Sequence, residues 1–399
     1  MVQVAILGFG TVGSGVAEVL TQNAEAIARK AGGDVRVKYV LDTRDFPDSP
    51  FGDLVVHDFS VIESDPEVQV VAECIGGATV AYDFVRRSLL AGKHVVTSNK
   101  EMVAAHGYEL LTIAREKNVN FLFEASVGGG IPILRPLSVC FSANEITEVY
   151  GILNGTTNYI LTKMINEGAD FNEVLRDAQA KGYAEANPAA DVEGHDACRK
   201  ICILAALSFG RHVYPEGVYT EGITGISKQD IAFAELAGKK VKLLGRAVKT
   251  DDGKVVCYVS PHFVPETAQI ARVDDVFNGI VVRGNAVGET MFYGRGAGKL
   301  PTASAVVADI IDAINHANQR KNICWEDADP ARMGDYRELE QCWFVRTDET
   351  EERIASCLPG ATVLGTVDGQ KGVLSAAMSL RALEETGLHM MGKIPVLCD

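Results

Sequence analysis

Val2-Gln3-Val4-Ala5-Ile6-Leu7-Gly8-Phe9-Gly10-Thr11-Val12-Gly13 is a short apolar run that passes directly into Gly-x-Gly-x-x-Gly. The three glycines do different work. Gly8 permits a tight turn, Gly10 lets a diphosphate approach the backbone, and Gly13 lets the next helix pack against the strand it left. The unpaired N–H groups and positive end of that helix then hold the diphosphate. Alone, the hexad specifies only a tight strand–helix turn. With a strand before it and a helix after it, the stretch specifies a dinucleotide site.

Strand and helix signals alternate from there to about residue 125. Thr11 to Lys30 reads as a helix, Val35 to Leu41 as a second strand and Val68 to Glu73 as a third. A helix over Val80 to Ala91, a fourth strand His94 to Thr97, a helix Tyr108 to Lys117 and a fifth strand Val119 to Phe123 follow. This alternation implies right-handed crossovers and a doubly wound parallel sheet, a Rossmann-like domain of the α/β class. The second strand ends in Leu41-Asp42-Thr43-Arg44, where such a sheet meets an adenosine ribose. Asp42 suits the free 2′-hydroxyl of NAD and Arg44 the 2′-phosphate of NADP, so both cofactors stay open. Lys100 closes the fourth strand, and carboxyl ends of parallel strands are where these sheets place ligands.

The 399 residues are enough for two or three domains with cores of their own. With 47% apolar and 23% charged residues, the chain has the balance of a folded protein. A net charge of −15 repels phosphate backbones and anionic lipid, which argues against nucleic-acid or membrane partners. No signal-peptide pattern precedes the first strand, and no apolar run reaches the roughly 20 residues of a membrane span. The nine cysteines include no Cys-x-x-Cys pair. Cys198 and Cys202, with only His195 as an obvious third metal ligand, read as buried thiols in a helix. Reduced thiols without an export signal predict a cytoplasmic protein.

Past residue 125 the alternation stops. Glu145 to Leu153 reads as a strand, Asn158 to Glu167 and Phe171 to Lys181 as helices, and Gly182 to Gly194 as a polar loop. An apolar helix over Asp196 to Phe209 follows. Further signals over Lys228 to Ala237, Val241 to Val248, Val255 to Pro261 and Gly279 to Val287 make an α+β domain. Ala303 to Ala317 is one more amphipathic helix, and the polar Asn318 to Gln341 reads as a linker. From Cys342 the order is strand, helix (Glu351 to Leu358), strand (Thr362 to Val367), strand (Gly372 to Ala376), helix (Leu380 to Thr386), strand (Ile394 to Leu397). That is the order of a small ferredoxin-like unit.

The densest polar stretch is Gly182-Tyr183-Ala184-Glu185-Ala186-Asn187-Pro188-Ala189-Ala190-Asp191-Val192-Glu193-Gly194-His195-Asp196, with Lys200 four residues beyond. Asp196 and Lys200 share a helix face. On an exposed helix that is a weak ion pair. Here the helix continues Ile201-Cys202-Ile203-Leu204-Ala205-Ala206-Leu207, too apolar for a surface, which sets the pair at the edge of a buried cleft. A lysine that is desolvated, or near another lysine, loses proton affinity and can exchange a proton with an alcohol near neutral pH.

Ala178-Gln179-Ala180-Lys181-Gly182-Tyr183 through Asn187-Pro188-x-x-Asp191-x-x-Gly194-x-Asp196-x-x-x-Lys200 resembles the signature of the homoserine dehydrogenase family. So do the glycine hexad, Ser98-Asn99-Lys100, the stretch Glu124 to Pro132, Leu153 to Ile160, Gly296-Ala297-Gly298, and Pro301 to Val307. Together they span about residues 1 to 318. The resemblance implies NAD(P)-dependent interconversion of L-homoserine and L-aspartate 4-semialdehyde, in threonine, methionine and isoleucine biosynthesis, by a homodimer or homotetramer. It makes Lys200 the proton donor and acceptor, Asp196 its partner, and Lys100 a neighbour of nicotinamide and substrate. Glu185, Asp191 and Tyr183 would hold the substrate. Gly8, Phe9, Gly10, Thr11, Val12, Gly13, Arg44, Lys100 and Gly298 would hold the cofactor. The backbone carbonyls of Glu124, Val127, Gly129 and Ile131 correspond to a sodium site, a donor set that suits a hard, weakly bound cation.

The expected organisation is a dinucleotide-binding domain over 1–130 completed by the helix near 303–317, a substrate-binding and dimerisation domain over 131–318, a linker over 319–341, and a C-terminal unit over 342–399. That unit is similar in element order to ACT modules. The Asp-x-Pro-Gly-Val-like ligand loop is missing, because Leu358-Pro359-Gly360 follows the first helix instead of preceding it. An effector site and a capping or dimerisation role both stay open. Two other activities fit the sequence less well. A thioester-forming semialdehyde dehydrogenase needs a cysteine in the Gly182 to Asp196 stretch, which has none, and a nucleotide sensor has no need of Asp196 and Lys200 on one face.

Overall fold

Six parallel strands form the N-terminal sheet: β1 (Val2–Leu7), β2 (Val35–Leu41), β3 (Val55–Val56), β4 (Val68–Glu73), β5 (His94–Thr97) and β6 (Phe121–Leu122). Their order is β3-β2-β1-β4-β5-β6, the Rossmann order, with the reversal between β1 and β4. Helices α1 (Thr11–Gln22), α2 (Ala24–Ala31), α3 (Phe59–Ser64), α4 (Val80–Leu90) and α5 (Lys100–Glu116) lie between or beside the strands in sequence. The computed structural model describes residues 1–319 and 323–398, so the expected linker lies partly outside the described residues.

Three differences from the sequence reading have local causes. The single helix expected over Thr11 to Lys30 is two, because Asn23 leaves the helical region at φ −108°, ψ 20°. β3 and α3 were not expected, being too short to show a period. α5 starts eight residues before the expected Tyr108: the Asn99 carboxamide accepts the Met102 N–H at 3.1 Å and caps the helix there. Lys100 therefore opens a helix and does not close a strand.

The chain folds into two compact units. The first comprises Met1–Asn144, Cys202–Pro215 and Gly294–Ala328; the second comprises Glu145–Ile201, Glu216–Tyr293 and Asp329–Asp399. In the first, the helix α11 (Lys299–Asn315) packs on α1. Gly15 makes this possible, since a Cβ there would lie about 3 Å from Lys299 and Ala303. This division differs from the one expected at residues 130, 318 and 341. Side chains from the presumed linker are buried: Trp325 donates its indole N–H to His212 at 3.1 Å in the first unit, while Tyr336 packs near Trp343 in the second.

The second unit is built on β7 (Ile146–Ile152), β8 (Tyr219–Thr220), β9 (Lys239–Lys249), β10 (Val255–Pro265), β11 (Phe277–Gly284) and β12 (Gly288–Arg295), in the order β12-β11-β7-β9-β10-β8. The strand expected over Gly279 to Val287 is β11, which ends at Gly284, and the β12 strand that follows at Gly288 was not expected. Helices α6 (Gly155–Glu167), α7 (Phe171–Ala180), α8 (Ala189–Val192), α9 (His195–Phe209) and α10 (Lys228–Leu236) accompany this sheet in sequence.

The C-terminal elements are β13 (Trp343–Thr347), α12 (Glu351–Cys357), β14 (Thr362–Val367), β15 (Gln370–Leu374), α13 (Leu380–Glu385) and β16 (Gly392–Pro395). They form an antiparallel sheet of order β14-β15-β13-β16, which is the ferredoxin-like arrangement read from the sequence. Arg346 on β13 pairs with Asp230 of α10 at 2.8 Å, both buried. Gly372 leaves room for the Phe233 ring, which a Cβ would meet at 2.3 Å.

Cys198 and Cys202 are buried in α9, while His195 is exposed and turned to Glu193 at 3.2 Å. Among the described residues no three His, Cys, Asp or Glu side chains are placed to share a metal ion, and no helix is long and apolar enough to cross a membrane.

Candidate active site

The glycine turn of the first unit has the geometry its sequence implies. Gly8 sits at φ +85°, and a Cβ there would lie 3.0 Å from the backbone of Cys74 and Ile75. A Cβ at Gly13 would lie 1.9 Å from the Gly8 carbonyl oxygen, so only glycine lets α1 start this close to β1. Gly10 has open space where its Cβ would be and caps α1 without a side-chain hydrogen bond. The first-turn N–H groups of Thr11, Val12 and Gly13 thus fit an anionic diphosphate at the helix N-terminus.

Asp42 and Arg44 turn out to be partners. Asp42 Oδ2 accepts the Phe9 N–H at 2.8 Å, and Oδ1 accepts the Arg44 backbone N–H and Nε, both at 3.0 Å. The Arg44 guanidinium lies over the Phe46 ring and, with the two backbone N–H groups, holds the Asp42 carboxyl down to about 2. Asp42 is spent on the turn while Arg44 stays mostly exposed.

Lys100 directly follows Asn99, a member of a buried polar chain that spacing did not reveal. Glu73, fully buried at the end of β4, accepts the N–H groups of Ile75 and Gly76 and the Thr97 hydroxyl. Thr97 accepts the Asn99 N–H at 2.9 Å, and the Asn99 amide donates to the Gly77 carbonyl at 2.6 Å. Burial pushes the Glu73 carboxyl up. A glutamate ending a strand whose other buried residues are all apolar was the available signal.

Glu124 also spends its carboxylate on the backbone, accepting the N–H groups of Ile133, Leu134 and Arg135 at 2.6–2.8 Å. Its own N–H donates to Asp309 at 2.8 Å, and burial beside Glu124 pushes the Asp309 carboxyl up to about 8. The turn Val127 to Ile131 runs through Gly128 and Gly129 at positive φ, and the Gly128 carbonyl accepts the Ile131 N–H at 2.8 Å. A Cβ at Gly129 would lie 2.5 Å from the Gly296 carbonyl oxygen. Gly298, at φ +128°, then starts α11.

In the second unit three of the expected residues come together. Gly194, at φ +88°, turns the chain into α9. Lys200 Nζ donates to Asp196 Oδ2 at 2.7 Å and to the Leu153 carbonyl at 2.7 Å. Asp196 and Lys200 are 5% and 7% exposed, so the pair is internal rather than a surface ion pair. Gly245 on β9 admits Ile201, whose Cβ a glycine Cβ would meet at 3.1 Å. Asn154, to which spacing along the chain assigns no role, donates to Asp191 at 2.7 Å and to Asp196 at 2.8 Å.

Two expected residues stand outside this hydrogen-bonded group. Tyr183 sets its ring edge-on to Tyr159, and its carbonyl accepts the Thr156 hydroxyl at 2.6 Å. Glu185 is exposed in the loop before α8, where its carbonyl accepts from Gln179.

A Rossmann sheet with an open glycine turn, in one chain with a buried lysine–aspartate pair, defines a nicotinamide-dependent oxidoreductase. The NAD-binding domain of homoserine dehydrogenase matches residues 8–124, and the homoserine dehydrogenase domain matches residues 132–311. The chain belongs to the homoserine dehydrogenase family. It is 45% identical over 403 residues to a homoserine dehydrogenase of Pseudomonas aeruginosa, covering 98% of this chain and 91% of the relative. The crystal structure of a homoserine dehydrogenase from Thiobacillus denitrificans superposes with TM-score 0.88 at 34% identity, over 99% of this chain and 98% of that one. A hyperthermophilic archaeal homoserine dehydrogenase in complex with NADPH matches with TM-score 0.67 at 28% identity, over 78% of this chain and 97% of that one.

Proposed function

We propose that the protein interconverts L-homoserine and L-aspartate 4-semialdehyde with NAD or NADP, and that Lys200 carries the proton. The observation behind this reading is the internal Lys200–Asp196 pair anchored on the Leu153 carbonyl. In oxidation, Lys200 takes the C4 hydroxyl proton; in reduction it returns that proton to the aldehyde oxygen. Asp196 orients its ammonium and compensates the charge. Lys100 stabilises the developing alkoxide. Asp191, Glu185 and Tyr183 bind the substrate, the two carboxylates holding the α-ammonium and so fixing C4. Gly8, Phe9, Gly10, Thr11, Val12, Gly13, Arg44 and Gly298 hold the dinucleotide, whose nicotinamide supplies the hydride chemistry when bound.

The carbonyls of Glu124, Val127, Gly129 and Ile131 are a neutral donor set that fits sodium, held structurally. The reading extends to a cytoplasmic homodimer or homotetramer serving threonine, methionine and isoleucine synthesis, with the C-terminal sheet as an ACT-like unit. Purified protein mixed with homoserine and either cofactor should raise absorbance at the reduced-nicotinamide band. No rise with either cofactor, in the presence of sodium, would refute the assignment.

A further inference from the structure

The step from β7 into α6 contacts Asp191, Asp196 and Lys200 together. Leu153 offers its carbonyl to Lys200, and the next residue, Asn154, offers one nitrogen to two carboxylates: Asp191 Oδ1 at 2.7 Å and Asp196 Oδ2 at 2.8 Å. The orientation of the amide is determined. Its oxygen accepts the Thr157 N–H at 2.8 Å as the cap of α6, so the nitrogen must face the aspartates. Asn154 is 6% exposed and Asp196 5%. Two carboxylates around one nitrogen at such a site repel each other, and Lys200 pairs directly with Asp196. A primary amide is the neutral group that gives each anion a donor while its own oxygen stays tied to a helix.

We infer that Asn154 is a positioning residue of the reaction, holding Asp196 under Lys200 and Asp191 toward the substrate ammonium through the two N–H groups of one amide. The inference rests on the proposed roles of Lys200 and Asp191. It separates from a capping role because serine and aspartate cap helices about as well as asparagine. Serine is too short to bridge the carboxylates, and aspartate replaces the donor with a third anion.

The test compares Asn154→Ser and Asn154→Asp with wild type by thermal melting, cofactor titration, and the pH profile of kcat/KM for homoserine oxidation. Cofactor affinity should stay close to wild type, and both variants should still melt cooperatively, with the lower temperature for Asn154→Asp because it buries a third anion beside Asp191 and Asp196. kcat/KM should fall at least roughly tenfold for Asn154→Ser and further for Asn154→Asp, in line with loss of bonds to charged groups. The acid limb should move to higher pH in the same order. Loss of the amide donors raises the carboxylates' proton affinity and leaves Asp196 holding the Lys200 proton more strongly, and both effects act in that direction. If either folded variant keeps wild-type kcat/KM and pH profile, Asn154 is a cap and the inference fails. Lys200→Met in the same assay is the control on the parent reading. Turnover retained there would overturn the role of Lys200, whatever Asn154 does.

Discussion

Lys200 Nζ lies 2.7 Å from Asp196 Oδ2, one turn along α9, with both side chains buried. Such a pair is a poor device for stability, because desolvation offsets most of its attraction. Its place is better explained by chemistry. Lys200→Ala should lower kcat at least 100-fold while NAD(P) affinity survives, since general acid–base groups contribute roughly 10²–10⁴-fold. Steady-state kinetics with a parallel cofactor titration checks this. A variant that keeps a tenth of wild-type kcat would remove Lys200 from the mechanism.

Glu185 stands in an exposed loop, apart from the Asn154-centred group. If it grips the substrate ammonium, Glu185→Gln keeps its shape and loses its charge. KM for homoserine should rise roughly tenfold to a hundredfold while cofactor KM holds, the loss expected for a charge-assisted bond. Unchanged homoserine kinetics would transfer that role to Asp191.

We propose that cofactor choice is set at Asp42 and Arg44. Arg44 gives Nε and one terminal nitrogen to Asp42 and is mostly exposed, so it is the cation available to a 2′-phosphate. Arg44→Ala should weaken NADP about tenfold more than NAD, because a charge-assisted phosphate contact is lost only for NADP. Equal losses in titrations of the two cofactors would mean that Arg44 serves only to hold Asp42.

Asp309 makes stability depend on pH in an unusual direction. Its folded carboxyl titrates near 8, well above the ordinary aspartate value. As pH rises from about 4 to 8 the unfolded chain releases this proton while the folded chain retains it, so this group's contribution to stability falls across that window. Asp309→Asn keeps an acceptor for the Glu124 N–H and removes the titration. The melting temperature of the variant relative to wild type should therefore rise between pH 4 and pH 8. A constant difference would show that Asp309 is ionised in the folded protein.

Much of this protein is legible in its residues, where local chemistry decides. Gly8 and Gly13 announce a strand–helix turn because a Cβ at either would meet backbone, and the alternation through residue 125 implies the parallel sheet. The apolar continuation of α9 from Ile201 sets Asp196 and Lys200 at the edge of a buried cleft, and both side chains are buried. Short elements escaped, since β3 and α3 are too brief to carry a period, and so did the start of α5, which depends on the Asn99 cap.

What only the tertiary structure decided are the partnerships between residues far apart in the chain. Composition and spacing left Asp42 and Arg44 as rival ribose ligands; the fold joins them and ties Asp42 to Phe9. Asn154 is 37 residues from Asp191 and 42 from Asp196, and periodicity cannot report a contact at that range. Trp325 and Tyr336 sit in a stretch polar enough to pass for a linker, yet each is buried. Patterning records which side chains leave water, whereas hydrogen-bond partners across the chain follow from where the backbone brings donors and acceptors together.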